Sequence, residues 1–151
     1  MPKKVLISST GGHWAQLNEI LLRTKDKDGI QLITEKNKSN AGRKDILFLK
    51  QQDRKSRKFP FIFLYNTFIS LLYALKCRPK IVISTGAGAT LPFLVFSKMM
   101  GSKIIFVESF AKIHSPTLTG KIVYRFADVY FVQWPEMLKI YPHAIYRGSL
   151  Y

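Results

Sequence analysis

Ile81-Val82-Ile83-Ser84-Thr85-Gly86-Ala87-Gly88-Ala89-Thr90 reads as a strand running into a loop of small residues. Three β-branched residues in succession, with no polar alternation, suit a strand buried on both faces, the setting of a central parallel strand. An apolar helical pattern over Leu91–Met100 follows at once. Strand, glycine turn and helix in that order make one half of a βαβ unit.

Outward from this stretch the same alternation repeats. Strands are expected at Val5–Ser8, Gln31–Thr34, Ile46–Leu49, Ile81–Ser84, Lys103–Val107 and Val129–Val132. Helices are expected at Trp14–Arg23, Pro60–Leu75, Leu91–Met100, Leu118–Phe126 and Pro135–Tyr141. Ile104-Ile105-Phe106-Val107 is as apolar as Ile81-Val82-Ile83, so it too belongs at the sheet centre. The pattern is an α/β, Rossmann-like doubly wound parallel sheet, and its 151 residues are expected to form one domain. Such sheets bind ligands beyond the carboxyl ends of their strands. Three strand ends there carry unusual residues: Ser9-Thr10-Gly11-Gly12-His13, Ser84–Thr90, and Glu108-Ser109-Phe110.

Glycine at a strand-to-helix turn lets backbone N–H groups approach an anion, and the helix start adds partial positive charge. Thr10, Gly11 and Gly12 in one loop, and Thr85, Gly86 and Gly88 in the other, meet that need. Neither loop is a nucleotide fingerprint: Leu91 stands where GxGxxG requires glycine, and no GK[ST] occurs. His13 has two readings, a phosphate ligand or general base facing the crevice, and a helix-capping or solvent-facing ring. Glu108 also has two, a carboxylate holding a sugar hydroxyl and one bonded to nearby backbone.

The formal charge is +15, with nine basic residues between Lys36 and Lys58 against only Asp45 and Asp53. Such a surface seeks polyanions. Next to this window, Phe59–Leu75 holds no charged residue over seventeen positions. A spanning helix needs about twenty apolar residues, and basic residues flank both ends, against the one-sided rule for spanning segments. A crossover helix with added contact to the lipid interface fits better. Arg54, Lys55, Arg57, Lys58, Phe59, Phe61 and Phe63 are the candidates for meeting anionic lipid. Cys77 is the lone cysteine, so no intrachain disulfide is possible and a reducing compartment fits. The three histidines lack metal-ligand spacing, so no metal or cofactor is expected. No secretory leader is expected ahead of the first strand. Nucleic acid is not expected as a partner, since neither an RNA-binding motif nor a DNA-reading helix accompanies the charge.

Four stretches carry a resemblance: Ser9–His13; Ile83–Thr90; Val107-Glu108-Ser109-Phe110 with Leu118-Thr119-Gly120-Lys121; and Phe126-Ala127-Asp128 through Phe131-Val132-Gln133-Trp134-Pro135-Glu136. Together they resemble the PssD/CpsF-type subunits of bacterial capsule and exopolysaccharide glycosyltransferases. Those are similar to the membrane-anchor subunit of the eukaryotic enzyme that adds the second GlcNAc to dolichol-diphosphate-GlcNAc. The resemblance implies a fold equivalent to the N-terminal, acceptor half of a GT-B glycosyltransferase. It implies a non-autonomous subunit at the cytoplasmic face of the plasma membrane, with hexosyltransferase activity only in complex with a donor-binding partner that uses a UDP-sugar. The acceptor would be a polyprenyl-diphosphate-linked saccharide. On this basis His13 is the candidate base. Thr10, Gly11, Gly12, Thr85, Gly86, Gly88 and Ser109 line the diphosphate site, and Glu108 lies at its floor as a second catalytic candidate. Gly148, Ser149, Leu150 and Tyr151 are the candidate partner interface. Many relatives carry a histidine where this chain has Gly88. The competing reading is a scaffold that anchors the catalytic partner without touching substrate.

Overall fold

Val5, Leu6 and Ile7 are each at most 1% exposed, which requires packed layers on both faces of their strand. In the computed structural model, which describes residues 2–151, that strand is β1 (Lys4–Ser8). It pairs in parallel with β2 (Ile30–Glu35) on one side and β4 (Ile81–Gly86) on the other. The remaining strands are β3 (Ile46–Leu49), β5 (Lys103–Val107), β6 (Val129–Val132) and β7 (Ile145–Tyr146). The seven form one parallel sheet in the order β3-β2-β1-β4-β5-β6-β7. The strand order reverses between β1 and β4, the point beyond whose carboxyl ends sheets of this kind bind ligands.

The two faces are covered unequally. Leu6, Leu32 and Ile46 meet α1 (Gly12–Arg23) through Leu17. Val5, Ile7, Ile33, Val82, Ile104 and Phe106 form the larger core on the opposite face. That face carries α2 (Phe59–Cys77), α3 (Leu91–Met99) and α4 (Leu118–Tyr124). Ile83, Ile105 and Phe131, on the α1 side, remain only half-buried.

Helix α2 inverts the usual pattern. Its buried positions are Asn66, Ser70, Ala74 and Cys77, a narrow stripe of small or polar residues. The Asn66 carboxamide accepts from the Lys50 amide at 2.8 Å and donates to the Lys50 carbonyl at 2.7 Å, fastening the helix to the end of edge strand β3. Phe61, Leu64, Tyr65, Phe68, Leu72 and Leu75 face outward, each between 43% and 74% exposed. Burial of the crossover helix is therefore slight, and its large apolar residues lie on the open face.

The elements agree with the sequence pattern apart from their ends and two features. Pro135–Lys139 is a 3-10 turn rather than a helix reaching Tyr141. Two backbone amides, of Ile140 and Tyr141, both donate to the Met137 carbonyl and end it. Strand β7 was not expected. It is two exposed residues long, paired to β6 at Phe131↔Ile145 and Val132↔Tyr146, too short for any periodicity.

Candidate functional site

Two loops meet where the strand order reverses. Gly11 (φ 76°) is the N-cap of α1 and occupies a conformation that side-chain-bearing residues rarely adopt. No side chain caps this helix start and no acidic residue lies in its first turn, so its first amides have no side-chain acceptor. The facing loop is tied to it at several points. The Ser9 amide donates to the Gly86 carbonyl at 2.7 Å, and the Ala87 amide donates to Ser9 Oγ at 3.2 Å.

His13 and Thr85 bind each other reciprocally. His13 Nδ1 lies 2.8 Å from the Thr85 carbonyl, and Thr85 Oγ1 donates to the His13 carbonyl at 2.7 Å. A carbonyl only accepts, so Nδ1 carries the hydrogen in this bond and the neutral ring keeps Nε2 free as an acceptor. The hydroxyl of Thr85, expected to line the diphosphate site, is spent on this contact and the residue is 1% exposed. Thr85 orients His13 instead. Gly86 (φ 94°) lies under the ring: a Cβ there would stand 3.3 Å from His13 Nδ1.

Gly88 continues the same line. A Cβ on it would lie 3.3 Å from an Arg54 guanidinium nitrogen and 3.9 Å from Thr119 Oγ1. Arg54, expected on the lipid-facing surface, is exposed there and also reaches the crevice, although 34 positions of chain separate it from Gly88. His13, the Gly86–Gly88 loop and Arg54 make one continuous edge. Beyond Arg54 a cleft of about 330 Å³ opens, lined by Gln52, Phe59, Phe63, Leu91, Leu118, Thr119 and Ile122. Phe59 and Phe63 are half-buried in its wall, whereas Phe61 is 74% exposed on the open face. Lys55, Arg57 and Lys58 are exposed just before α2.

Glu108 is not in the crevice. It is 1% exposed, and its carboxylate accepts from five donors. The Ser109 amide and Thr117 hydroxyl reach Oε1, each at 2.9 Å. The Thr117 amide and the Tyr130 and Tyr141 hydroxyls reach Oε2, each at 3.2 Å. These bonds pin both ends of the 109–117 loop, and a carboxylate so enclosed cannot meet a substrate. The second catalytic candidate is therefore a loop anchor. Burial pushes the Tyr130 hydroxyl far above its ordinary pKa, with the Glu108 charge adding to it. Tyr141 is pushed up to about 12, again mainly by burial. Ser109 Oγ accepts from the Ala111 amide at 3.3 Å inside the same loop.

A second buried linkage escaped the sequence. Gln133 Nε2 donates to Gln16 Oε1 on α1 at 2.7 Å and to the Glu108 carbonyl at 2.9 Å. Its Oε1 accepts from the Leu150 amide at 3.0 Å. The Gly148–Tyr151 tail is thereby joined to the helix that carries His13. Tyr151 packs edge-on to Phe110, with centroids 5.1 Å apart. Gly148, Ser149 and Leu150 also border an open groove of about 430 Å³ with Ile83, Ile105 and Phe131, the uncovered part of the sheet. Among the described residues no three His, Cys, Asp or Glu side chains gather to hold a metal.

Residues 6–150 match the family described as "Oligosaccharide biosynthesis protein Alg14 like". The chain is 29% identical over 96 residues to the UDP-N-acetylglucosamine transferase subunit ALG14 of Rattus norvegicus, covering 60% of this chain and 44% of that protein. It is 36% identical over 75 residues to the subunit alg14 of Schizosaccharomyces pombe, covering 46% and 36%. The matched stretch thus spans less than half the length of these relatives. Among solved structures, MurG of Acinetobacter baumannii superposes with a TM-score of 0.68 at 21% identity, over 89% of this chain and 43% of that one. UDP-N-acetylglucosamine 2-epimerase of Rickettsia bellii gives 0.69 at 16% identity, over 99% and 46%. These likenesses establish the fold, a Rossmann-like sheet equivalent to the N-terminal half of a GT-B protein.

Proposed function

The chain belongs to the Alg14-like family of oligosaccharide biosynthesis proteins, and from that we propose that it is the acceptor-side subunit of a two-component glycosyltransferase. It binds a polyprenyl-diphosphate-linked saccharide at the membrane, and a partner subunit supplies the UDP-sugar. The setting we propose is capsule or exopolysaccharide synthesis at the cytoplasmic face of the plasma membrane. One observation carries the reading: an anion-ready crevice and an exposed apolar helix face lie side by side at one edge of the molecule.

In this reading the diphosphate rests on the uncapped start of α1, among Thr10, Gly11, Gly12, Gly86, Gly88 and Arg54. His13 Nε2 takes the proton from the acceptor hydroxyl as its oxygen attacks the anomeric carbon and UDP leaves. A positioned base of this kind contributes about 10²–10⁴ in rate. The face of α2 enters the lipid interface, and Lys55, Arg57 and Lys58 meet anionic headgroups at about 1 kcal/mol each. The donor-binding partner docks at Gly148–Tyr151 and the open sheet groove beside it.

The test is co-expression with a candidate donor-binding subunit, followed by transfer from labelled UDP-sugars into the lipid fraction of membranes. His13→Ala should lower turnover by about a hundredfold or more. Unchanged turnover would instead favour a scaffold that touches no substrate. Transfer by this chain without any partner would overturn the two-component reading.

A further inference from the structure

The cleft beyond Arg54 differs in chemistry from the crevice it joins. Phe59 and Phe63 come from the first turns of α2, Leu91 from the start of α3, and Leu118 and Ile122 from α4. Leu118 and Ile122 stay 58% and 37% exposed, so the cleft is an open apolar trough. Its polar groups are few: Arg54, Thr119 and Gln52. Gln52 Nε2 is buried without a hydrogen-bond acceptor among the described residues.

We propose that this cleft holds the carrier-proximal isoprenyl segment of the lipid-linked acceptor, with Arg54 at its mouth engaging the diphosphate. The inference rests on the acceptor reading above and gives one part of that acceptor a place. The Gly88 contact puts the Arg54 guanidinium where the phosphate edge turns into the apolar walls. An anionic head joined to a branched hydrocarbon matches that sequence of surfaces in order. At about 330 Å³ the trough is too small for a long chain, so only the head-proximal units enter and the remainder passes along the exposed face of α2 into lipid. Phe59 and Phe63 therefore serve recognition, and Phe61 serves membrane contact. A β-carbon at Gly88 would stand 3.3 Å from the Arg54 guanidinium and crowd it at the mouth.

The experiment compares two soluble probes with the same anionic head, farnesyl diphosphate and inorganic diphosphate, by calorimetric titration of the full chain at fixed salt. Burial of even one isoprene unit predicts that farnesyl diphosphate binds at least about tenfold tighter. Ile122→Trp, which fills the trough from an exposed position, should abolish that preference and leave inorganic diphosphate binding unchanged. Leu118→Trp should do the same, and unchanged thermal unfolding of either variant shows that the fold is intact. Phe61→Ser should keep the preference, and Arg54→Gln should weaken both probes. Equal binding of the two probes to the wild type overturns the cleft while leaving a diphosphate crevice standing. A preference that survives both tryptophans also overturns it. Binding of neither probe removes the acceptor reading as well.

Discussion

Replacing Glu108 by alanine should destabilise the protein strongly without reporting on catalysis. The carboxylate is 1% exposed, so no bulk water takes its place. Tyr130 and Tyr141 lose their acceptor at 3.2 Å, and both lie within the core, at 4% and 2% exposed. An unsatisfied buried donor costs about 1–3 kcal/mol, and because the two hydroxyls also reach each other, one of them is left without an acceptor. The Ser109 and Thr117 amides and the Thr117 hydroxyl also lose a partner, but the loop can turn them to solvent. With the cavity left by the deleted side chain added to the lost hydrogen bonds, an overall loss of about 4 kcal/mol is expected. For a domain of this size that lowers Tm by about 8–16 °C.

Glu108→Gln separates the acceptor from the charge. Its carbonyl can still serve one set of donors, while its NH₂ faces the other set with the wrong polarity. The expected cost is smaller, about 1–3 kcal/mol. Urea or thermal unfolding followed by circular dichroism reads both variants. A Glu108→Ala protein that unfolds within about 2 °C of the wild type would refute the enclosed-carboxylate argument. So would full stability with lost transfer activity, because that pattern belongs to a catalytic group. Gly120→Ala approaches the same site from the opposite side. Its methyl would overlap Glu108 Oε2, Thr117 Oγ1 and the Tyr130 hydroxyl, and it should destabilise to a similar degree.

Other predictions address pH, geometry and the membrane. Tyr141 is raised from an ordinary value of 10 to about 12 in the folded state, so above pH 10 the unfolded chain loses protons that the native one keeps. Its contribution, about 3 kcal/mol at about 1.4 kcal/mol per pH unit, is fully present below pH 10 and is lost as pH rises through 12; urea midpoints across that window check it, with Tyr141→Phe lessening a fall to which the more strongly raised Tyr130 also contributes. Gly86→Ala forces a side chain onto φ 94° and against the His13 ring, so transfer by the reconstituted pair should fall by at least about tenfold, within the range for losing a positioned base, with little change in partner co-purification. Replacing Lys55, Arg57 and Lys58 together by alanine should weaken flotation with anionic vesicles by about a hundredfold at low salt, whereas Phe61→Ser and Phe68→Ser should weaken it on neutral vesicles too.

The strands were legible because β1, β4 and β5 carry unbroken apolar runs that no exposed segment tolerates. Strand β7 lacks any such run, and it exists only because the edge of β6 offers Ile145 and Tyr146 a ladder. Helix α2 was legible as an apolar helix, yet its orientation was not. Nearly every position is apolar, so periodicity cannot choose a face, and the choice fell to the small residues Ser70 and Ala74 and to Asn66 with its two bonds to Lys50. Arg54 was beyond the reach of sequence pattern for another reason. Its contact with Gly88 arises from folding across the sheet edge, and nothing local to Arg54 distinguishes it from Lys55 or Arg57.

Glu108 and Thr85 are different, because strand parity already held their answer. Side chains alternate between the faces of a strand, so residues two apart share a face. Glu108 lies in step with Ile104 and Phe106, both in the core beneath α3 and α4, so its carboxylate is aimed into that layer. There it needs internal donors, which Thr117, Tyr130 and Tyr141 supply. Thr85 lies in step with Ile83, on the side of α1, where His13 stands. A polar residue at a strand end is thus a crevice candidate only when its parity and the helix cover agree. Applied here, that rule turns Glu108 inward as an anchor, turns Thr85 toward the histidine it orients, and leaves the crevice to backbone amides, His13 and Arg54.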